Sequence, residues 1–299
     1  MIYPPLLQAP LDLAALEMFR CVAQEESVTR AAARLQRAQS NVTTRVRQLE
    51  AELGVSLFLR EGKRMALTSE GQVLLDYAHR LLALSEEARQ AVLPGQPGGR
   101  LRLGSMESTA ASRLPAPLVR LHQQWPGIQL ELSTGPTQEL LERLKAHALD
   151  AALVAWPPGQ APDGALETQP VFTEELLLVL PPGHPAVHDP NDVQPPTLAV
   201  FEPGCTYRRI AQDWMARRTA PTRLMELGSY HAILACVAGG SCVGVVPASV
   251  LALAPQAPLL PHRSITTLPT LLAWRKGYRS AALDALRQAL TDAPQGTEP

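Results

Sequence analysis

The sequence predicts an α+β head, made of three short helices, a hairpin and a long helix, followed by a larger α/β body. Three observations carry this. Apolar residues recur at helical spacing from Leu13 to Leu53 and stop at Gly54. Two short apolar runs then flank the basic turn Glu61-Gly62-Lys63-Arg64, the pattern of a hairpin. Beyond the breaker-rich linker Leu93-Pro94-Gly95-Gln96-Pro97-Gly98-Gly99, strand-like and helix-like runs alternate, as in a mainly parallel sheet covered by helices.

Composition sets the outer bounds. The 299 residues, 46% hydrophobic and 18% charged, suffice for about two domains and exclude a disordered or collagen-like chain. No apolar run approaches the roughly 18 residues of a spanning helix, so no membrane partner is expected. The first 19 residues hold no Lys or Arg, so the charged start of a secretory signal is missing and a cytoplasmic location is expected. The net charge is −1, yet Thr29 to Arg64 hold eight basic residues against three acidic ones, a local footprint suited to nucleic acid. Cys21, Cys205, Cys236 and Cys242 form no C-x-x-C pair, and His184, His188, His231 and His262 have no ligand spacing. Neither a metal nor another cofactor is expected. No paired nucleophile and base stands at a known spacing, and Gly239-Gly240-Ser241-Cys242-Val243-Gly244 fits no catalytic or phosphate-binding motif, so no catalytic residue is assigned.

In the head, residues 1–10 read as an irregular arm with three prolines. Asp12 can cap a helix with Leu13, Leu16, Phe19 and Ala23 on one side. Ser27 can cap a short second helix, whose Ala31 and Ala32 permit close helix approach. A third helix runs from about Ser40. Its Val42, Val46, Leu49 and Leu53 share one face, and Gly54 supplies a left-handed cap. After the hairpin, Ser69 with Gln72 matches a capping box. In the helix it opens, Leu74, Ala78, Leu81, Ser85, Ala88 and Val92 form a heptad seam.

In the body, strands are expected at Leu101–Gly104, Ile128–Leu132, Ala151–Ala155, Leu176–Leu180, Leu198–Phe201, Val243–Pro247 and Thr270–Trp274. Helices are expected at Leu114–Gln124, Gln138–His147, Thr206–Arg217, Tyr230–Ala238 and Ser280–Leu290, with the last eight residues frayed.

Three helices and a hairpin match a winged helix-turn-helix, whose last helix enters a major groove. Opposite its apolar face lie Ser40, Thr44, Arg47 and Gln48, flanked by Asn41 and Arg45, all able to reach base edges or phosphates. Arg60, Lys63 and Arg64 on the wing suit the neighbouring backbone or minor groove. The motifs Leu16-x-x-Phe19, Ser27-Val28-Thr29-Arg30-Ala31-Ala32-Ala33-Arg34-Leu35, Gln39-Ser40-Asn41-Val42-Thr43-Thr44-Arg45-Val46-Arg47-Gln48-Leu49-Glu50-x-Glu52-Leu53-Gly54-Val55-x-Leu57-Phe58 and Leu67-Thr68-x-x-Gly71 resemble the LysR-type transcriptional regulators. The resemblance is dense over residues 12–90 and looser beyond. At the third helix's start the chain has Ala38-Gln39-Ser40-Asn41-Val42-Thr43 where many relatives have Ser-Gln-Pro-Ala-Leu-Ser.

The resemblance implies a winged helix-turn-helix over 1–68 and a dimerising linker helix over 69–93. It implies a two-lobed, periplasmic-binding-protein-like effector domain over 94–299, with lobe I at about 100–172 and 268–299 and lobe II at about 173–267. It also implies promoter DNA as partner, a homodimer or homotetramer, and RNA polymerase as a further partner. It sets Gln39, Ser40, Thr43, Thr44 and Arg45 near bases or phosphates, and Thr29, Arg30, Arg60 and Arg64 on the DNA backbone.

Two lobes imply a cleft at the carboxyl ends of strands, where helix N-termini point. The residues at those positions are Ser105, Met106, Glu107, Ser108 and Thr109, then Thr134 and Gly135, then Trp156. From the other lobe come Cys205, Thr206, Tyr207 and Arg208, with Ser229, Tyr230 and His231. Hydroxyls, helix starts and Arg208 favour a carboxylate or amino-acid-like effector, whereas Glu107 could accept an ammonium. Two alternatives stand beside a ligand-responsive regulator. One is a small-molecule binding protein or enzyme with an incidental helical head. The other is a redox sensor built on Cys205, with Cys236 and Cys242 at 31 and 37 residues' distance.

Overall fold

The computed structural model describes residues 10–61, 64–92, 97–156, 159–160, 163–255 and 260–291. The expected N-terminal arm, apart from Pro10, the linker's first four residues and the frayed end lie outside them. The chain divides into two compact units, one of Met1–Leu93 with Ala146–Ala148 and a second built from Pro94–Lys145 and Leu149–Pro299.

The head starts at α1 (Leu13–Glu25), where the Asp12 carboxylate accepts the Ala14 N–H at 3.0 Å. The Ser27 hydroxyl accepts the Arg30 N–H at 3.4 Å and opens α2 (Val28–Arg34). After a turn in which Gln36 takes φ 53°, α3 (Gln39–Leu53) begins one residue before the expected Ser40. Its cap position is Ala38, which offers no side-chain bond, and it ends at Gly54 with φ 70°. The hairpin is β1 (Phe58–Glu61) paired antiparallel with β2 (Arg64–Leu67), and α4 (Ser69–Val92) follows.

The α4 cap differs from expectation. Thr68, not Ser69, accepts the Gly71 N–H, at 2.9 Å, while its own hydroxyl donates to the Ser56 carbonyl at 2.8 Å. Ser69 is already helical and bonds Glu70. Thr68 wins because it ties the helix start to the chain entering the hairpin. Gly71 permits the approach, since a Cβ there would meet the Leu57 carbonyl oxygen at 2.1 Å. The heptad seam also divides. Ala78 is fully buried and Leu74 packs beside it against the head core, whereas Leu81 and Val92 face solvent together with Val73, Tyr77 and Leu84. One end of α4 is claimed by the head, so only the remaining face is left without a cover.

Leu16, Phe19, Val22, Val42, Val46, Leu49 and Leu57 form the head core, with the Phe19 and Phe58 rings 5.4 Å apart. The apolar spacing thus buried the face of α3 that it marked.

The body runs β3 (Gly99–Ser105), α5 (Glu107–Ser112), α6 (Pro115–Gln124), β4 (Ile128–Thr134), α7 (Thr137–Lys145), β5 (Ala151–Ala155) and β6 (Leu166–Val179). It continues through β7 (Thr197–Val200), α8 (Thr206–Met215), β8 (Arg223–Glu226), α9 (Tyr230–Ala238), β9 (Val243–Pro247), α10 (Ala248–Leu251), β10 (His262–Arg275) and α11 (Ala281–Thr291). The strands form one sheet ordered β4-β3-β5-β10-β6-β9-β7-β8. Parallel pairs make up its two wings, and β6 and β10 run antiparallel through the middle. Buried clusters cover both faces of each wing, so the two lobes share a sheet and own separate cores.

The expected strands Leu176–Leu180 and Thr270–Trp274 are only parts of β6 and β10, each 14 residues long. The missed portions, such as Leu166 to Glu175, include a proline and lack a clean alternation. Pairing with a partner strand, not local pattern, makes them strand. The short strand β8, paired with β7, was missed for the same reason, and the short helices α5 and α10 span too few residues for a helical period to show. At the crossing, the Glu174 carboxylate is buried and pairs with Arg113 between α5 and α6, and it accepts the Ser249 hydroxyl of α10 at 2.7 Å.

Candidate functional site

Two surfaces carry convergent polar groups. The first is the outer side of α3. With Val42, Val46 and Leu49 turned inward, the 3.6-residue period leaves Gln39, Ser40, Thr44, Arg45, Arg47 and Gln48 exposed. Thr43 is half-buried and its hydroxyl donates to the Gln39 carbonyl at 2.9 Å, so it is partly committed to its own helix. Arg45 lies 3.9 Å from Asp12. Thr29 and Arg30 are exposed on α2, with Arg30 turned back to Glu25. On the wing, Arg64 binds Glu26 at 2.8 Å and holds that carboxyl below its ordinary range. Lys63 and the Arg60 side chain lie outside the described residues. These ion pairs are largely exposed and therefore weak, and a phosphate can replace the carboxylate.

The second surface is a cavity of about 160 Å³ between the two lobes of the body. Met106, Glu107 and Ser108 line it from the end of β3, and Thr134 and Gly135 from the end of β4. Cys205 and Tyr207 approach from the start of α8, and Tyr230 from the start of α9. Eight expected residues therefore meet in one place. Pro136, which follows Thr134 and Gly135, also lines the cavity, whereas sequence reasoning missed Thr137, Phe201, Glu202 and Gly228. Phe201 and Glu202 could have been found, because they follow β7 as Thr134 ends β4.

Seven expected residues lie elsewhere, among them Thr109, which is buried in α5, and Thr206, whose hydroxyl donates to the Ala155 carbonyl at 2.7 Å. Ser105 is fully buried in the sheet, and its hydroxyl donates to the Met106 carbonyl at 3.0 Å. Trp156 lines a separate hollow with Gln138, Lys145 and Arg209. The Arg208 guanidinium donates to the Phe201 carbonyl at 2.6 Å and to Glu226 at 2.7 Å, so its charge is spent within lobe II. Ser229 caps α9 by accepting the Ala232 N–H at 3.2 Å. His231 lines a smaller hollow that shares Glu107 and Tyr230 with the main cavity. For Ser105, Arg208 and Ser229 the sequence specified the neighbourhood, while local bonding turned the side chain away.

The cavity's electrostatics are those of a half-buried polar site. Burial pushes the Glu107 carboxyl above its ordinary range, partly opposed by His231. It likewise raises the Tyr207 and Tyr230 phenols, beside both of which stands Ser108. One Glu107 carboxylate oxygen and the Ser108, Tyr207 and Thr270 hydroxyls are buried without a hydrogen-bond partner among the described residues. Leaving such groups unpaired costs about 1–3 kcal/mol each, a cost that a ligand can remove. Burial also raises the Cys205 thiol, against the pull of the Tyr207 and Arg208 backbone N–H groups. A thiol held protonated is a poor nucleophile, which weighs against a redox role.

Comparison with known proteins covers both units. Residues 13–72 match the family model described as bacterial regulatory helix-turn-helix protein, lysR family, and residues 94–295 match the LysR substrate binding domain. Among relatives, the HTH-type transcriptional regulator GltR of Bacillus subtilis (strain 168) is 37% identical over 244 residues, 81% of each chain. The regulator CzcR of the same strain is 34% identical, covering 84% of this chain and 86% of its own. Among solved structures, a full-length OxyR variant from Pseudomonas aeruginosa superposes with a TM-score of 0.76 at 24% identity, covering 97% and 100% of the two chains. Full-length CbnR complexed with its target DNA gives 0.65 at 22% identity, covering 94% and 99%. At these identities the structures speak for the fold.

Proposed function

The chain belongs to the LysR family of bacterial transcriptional regulators, and from that premise we propose that an oligomer of it sets two α3 helices in successive major grooves and couples that grip to a small molecule in the inter-lobe cavity. It is a ligand-responsive DNA-binding regulator, not an enzyme, so the reading as an enzyme with an incidental head falls away. Among the described residues no helix is long and apolar enough to cross a membrane. The finer points are our reading. Gln39, Ser40, Thr44, Arg45 and Arg47 read bases or phosphates, while Thr29, Arg30, Arg60, Lys63 and Arg64 hold the backbone. The exposed stripe Val73, Tyr77, Leu81 and Leu84 on α4 is apolar surface that a second copy would cover, giving a homodimer or a pair of dimers. A dimer with two-fold symmetry places its recognition helices about 34 Å apart or a multiple of it. Action at a promoter makes RNA polymerase a further partner.

The cavity ligand touches both lobes, whose relative angle is carried by β6 and β10. It biases that angle only by binding one arrangement better than the other, on the order of 1–3 kcal/mol.

The observation that carries the reading is the outward face of α3, polar from Gln39 to Gln48 while its opposite face is core. A gel-shift titration on the DNA upstream of the chain's own coding sequence tests it. Arg45→Ala and Thr44→Ala should each weaken specific binding by about 1–3 kcal/mol without changing the melting temperature. Undiminished affinity in both variants would overturn the assignment.

A further inference from the structure

We propose that the cleft is built for a small protonated amine, whose ammonium seats against Glu107, and not for an organic anion. The inference rests on the reading of the cavity as the effector site and names the chemical class that the site accepts.

The lining carries the argument. Its only charged side chains among the described residues are Glu107 and Glu202. Arg208, the cation that would attract a carboxylate, is held by Glu226 and the Phe201 carbonyl and does not reach the cavity. The start of α9 is likewise occupied, where Ser229 receives the Ala232 N–H. The Gly135 and Gln138 N–H groups donate to the Ser105 and Gly204 carbonyls. An anion would meet two carboxylates with no cation.

An ammonium would meet the reverse. A buried Glu107 oxygen lacks a partner, and so do the Ser108 and Tyr207 hydroxyls, whose residues are 3% exposed. All three can accept an N–H. The rings of Phe201 and Tyr230, 4.6 Å apart, add aromatic faces to the wall. Burial raises the Glu107 carboxyl against the opposing pull of His231, and a bound ammonium would lower it. At roughly 10–15 Å³ for each water displaced, the cavity suits a ligand of on the order of ten non-hydrogen atoms.

The test uses the full chain, with thermal shift and calorimetric titration as readouts. Probes are 1,4-diaminobutane, agmatine and spermidine, each compared with succinate, glutarate and 2-oxoglutarate at equal ionic strength. At least one amine should raise the melting temperature and the dicarboxylates should not. Glu107→Gln, which keeps the shape, should weaken that amine at least tenfold. Stabilisation by a dicarboxylate alone, or by no probe, overturns the proposal. Tyr207→Phe separates the two levels of inference. If it weakens a dicarboxylate's effect, the cavity stands and only the ligand class fails. If neither substitution affects the binding of any stabilising probe, the cavity is not the site.

Discussion

The two functional surfaces handle polarity in opposite ways. Side chains on the outer face of α3 stand in water, and Arg45 lies there beside the exposed Asp12 carboxylate. Around the cleft, hydroxyls and a carboxylate oxygen are buried without partners. The helix face is finished before its partner arrives, because solvent satisfies every group and a phosphate merely replaces water and counterions. The cleft is unfinished until a ligand fills it, because its buried groups find no partner within the protein among the described residues. One surface is therefore built for long-range attraction and the other for short-range discrimination.

The largest effect should come from removing what holds the first surface rigid. Phe19→Ala empties the head core behind α3 and should cost about 3–5 kcal/mol of stability, read by chemical denaturation. Unchanged stability would mean that the face of α3 does not depend on this core. Next is the crossing between lobes. Arg113→Ala leaves the buried Glu174 carboxylate with Ser249 alone and should cost about 2–3 kcal/mol, an unpaired-charge penalty reduced by the partial exposure of Arg113. Glu174→Gln, which removes the charge, should cost less, and the reverse order would refute the ion pair's role.

The smallest effect should come from Arg64→Ala on the wing. Stability should hardly change at neutral pH, while the log–log salt slope of DNA binding becomes shallower by about 0.9 if Arg64 neutralises one phosphate. An unchanged slope removes Arg64 from the interface. The same variant has an acid signature. Because Arg64 holds the folded-state Glu26 pKa below its unfolded value, their pairing stabilises above the ordinary carboxylate range and is lost as pH falls through the lowered one. Arg64→Ala should thus erase a contribution confined to the region around and above that window.

Legibility differed between the surfaces for related reasons. Helical spacing placed Val42, Val46 and Leu49 inside and Thr44, Arg45 and Arg47 outside, because the period of one helix is a local property of consecutive residues. The same logic found Asp12, Ser27 and Gly54 as caps. It misassigned the α4 cap to Ser69, because Thr68 gains a second bond to Ser56, a residue of another segment. In the cleft, strand ends pointed to Met106, Ser108 and Thr134, yet included Ser105 and Arg208, whose bonding turns them away. Phe201 and Glu202 went unnoticed at a strand end that obeys the same rule.

Local spacing and turn chemistry, read along the chain alone, were enough for the two-part architecture, the exposed face of α3, and the family to which the chain belongs. Folding in three dimensions decided the rest: the long central strands, the division of α4 between core and solvent, and the choice of polar atoms left unpaired in the cleft. Those outcomes arise from segments far apart in the chain competing for the same carbonyls, carboxylates and space. No window of neighbouring residues contains that competition.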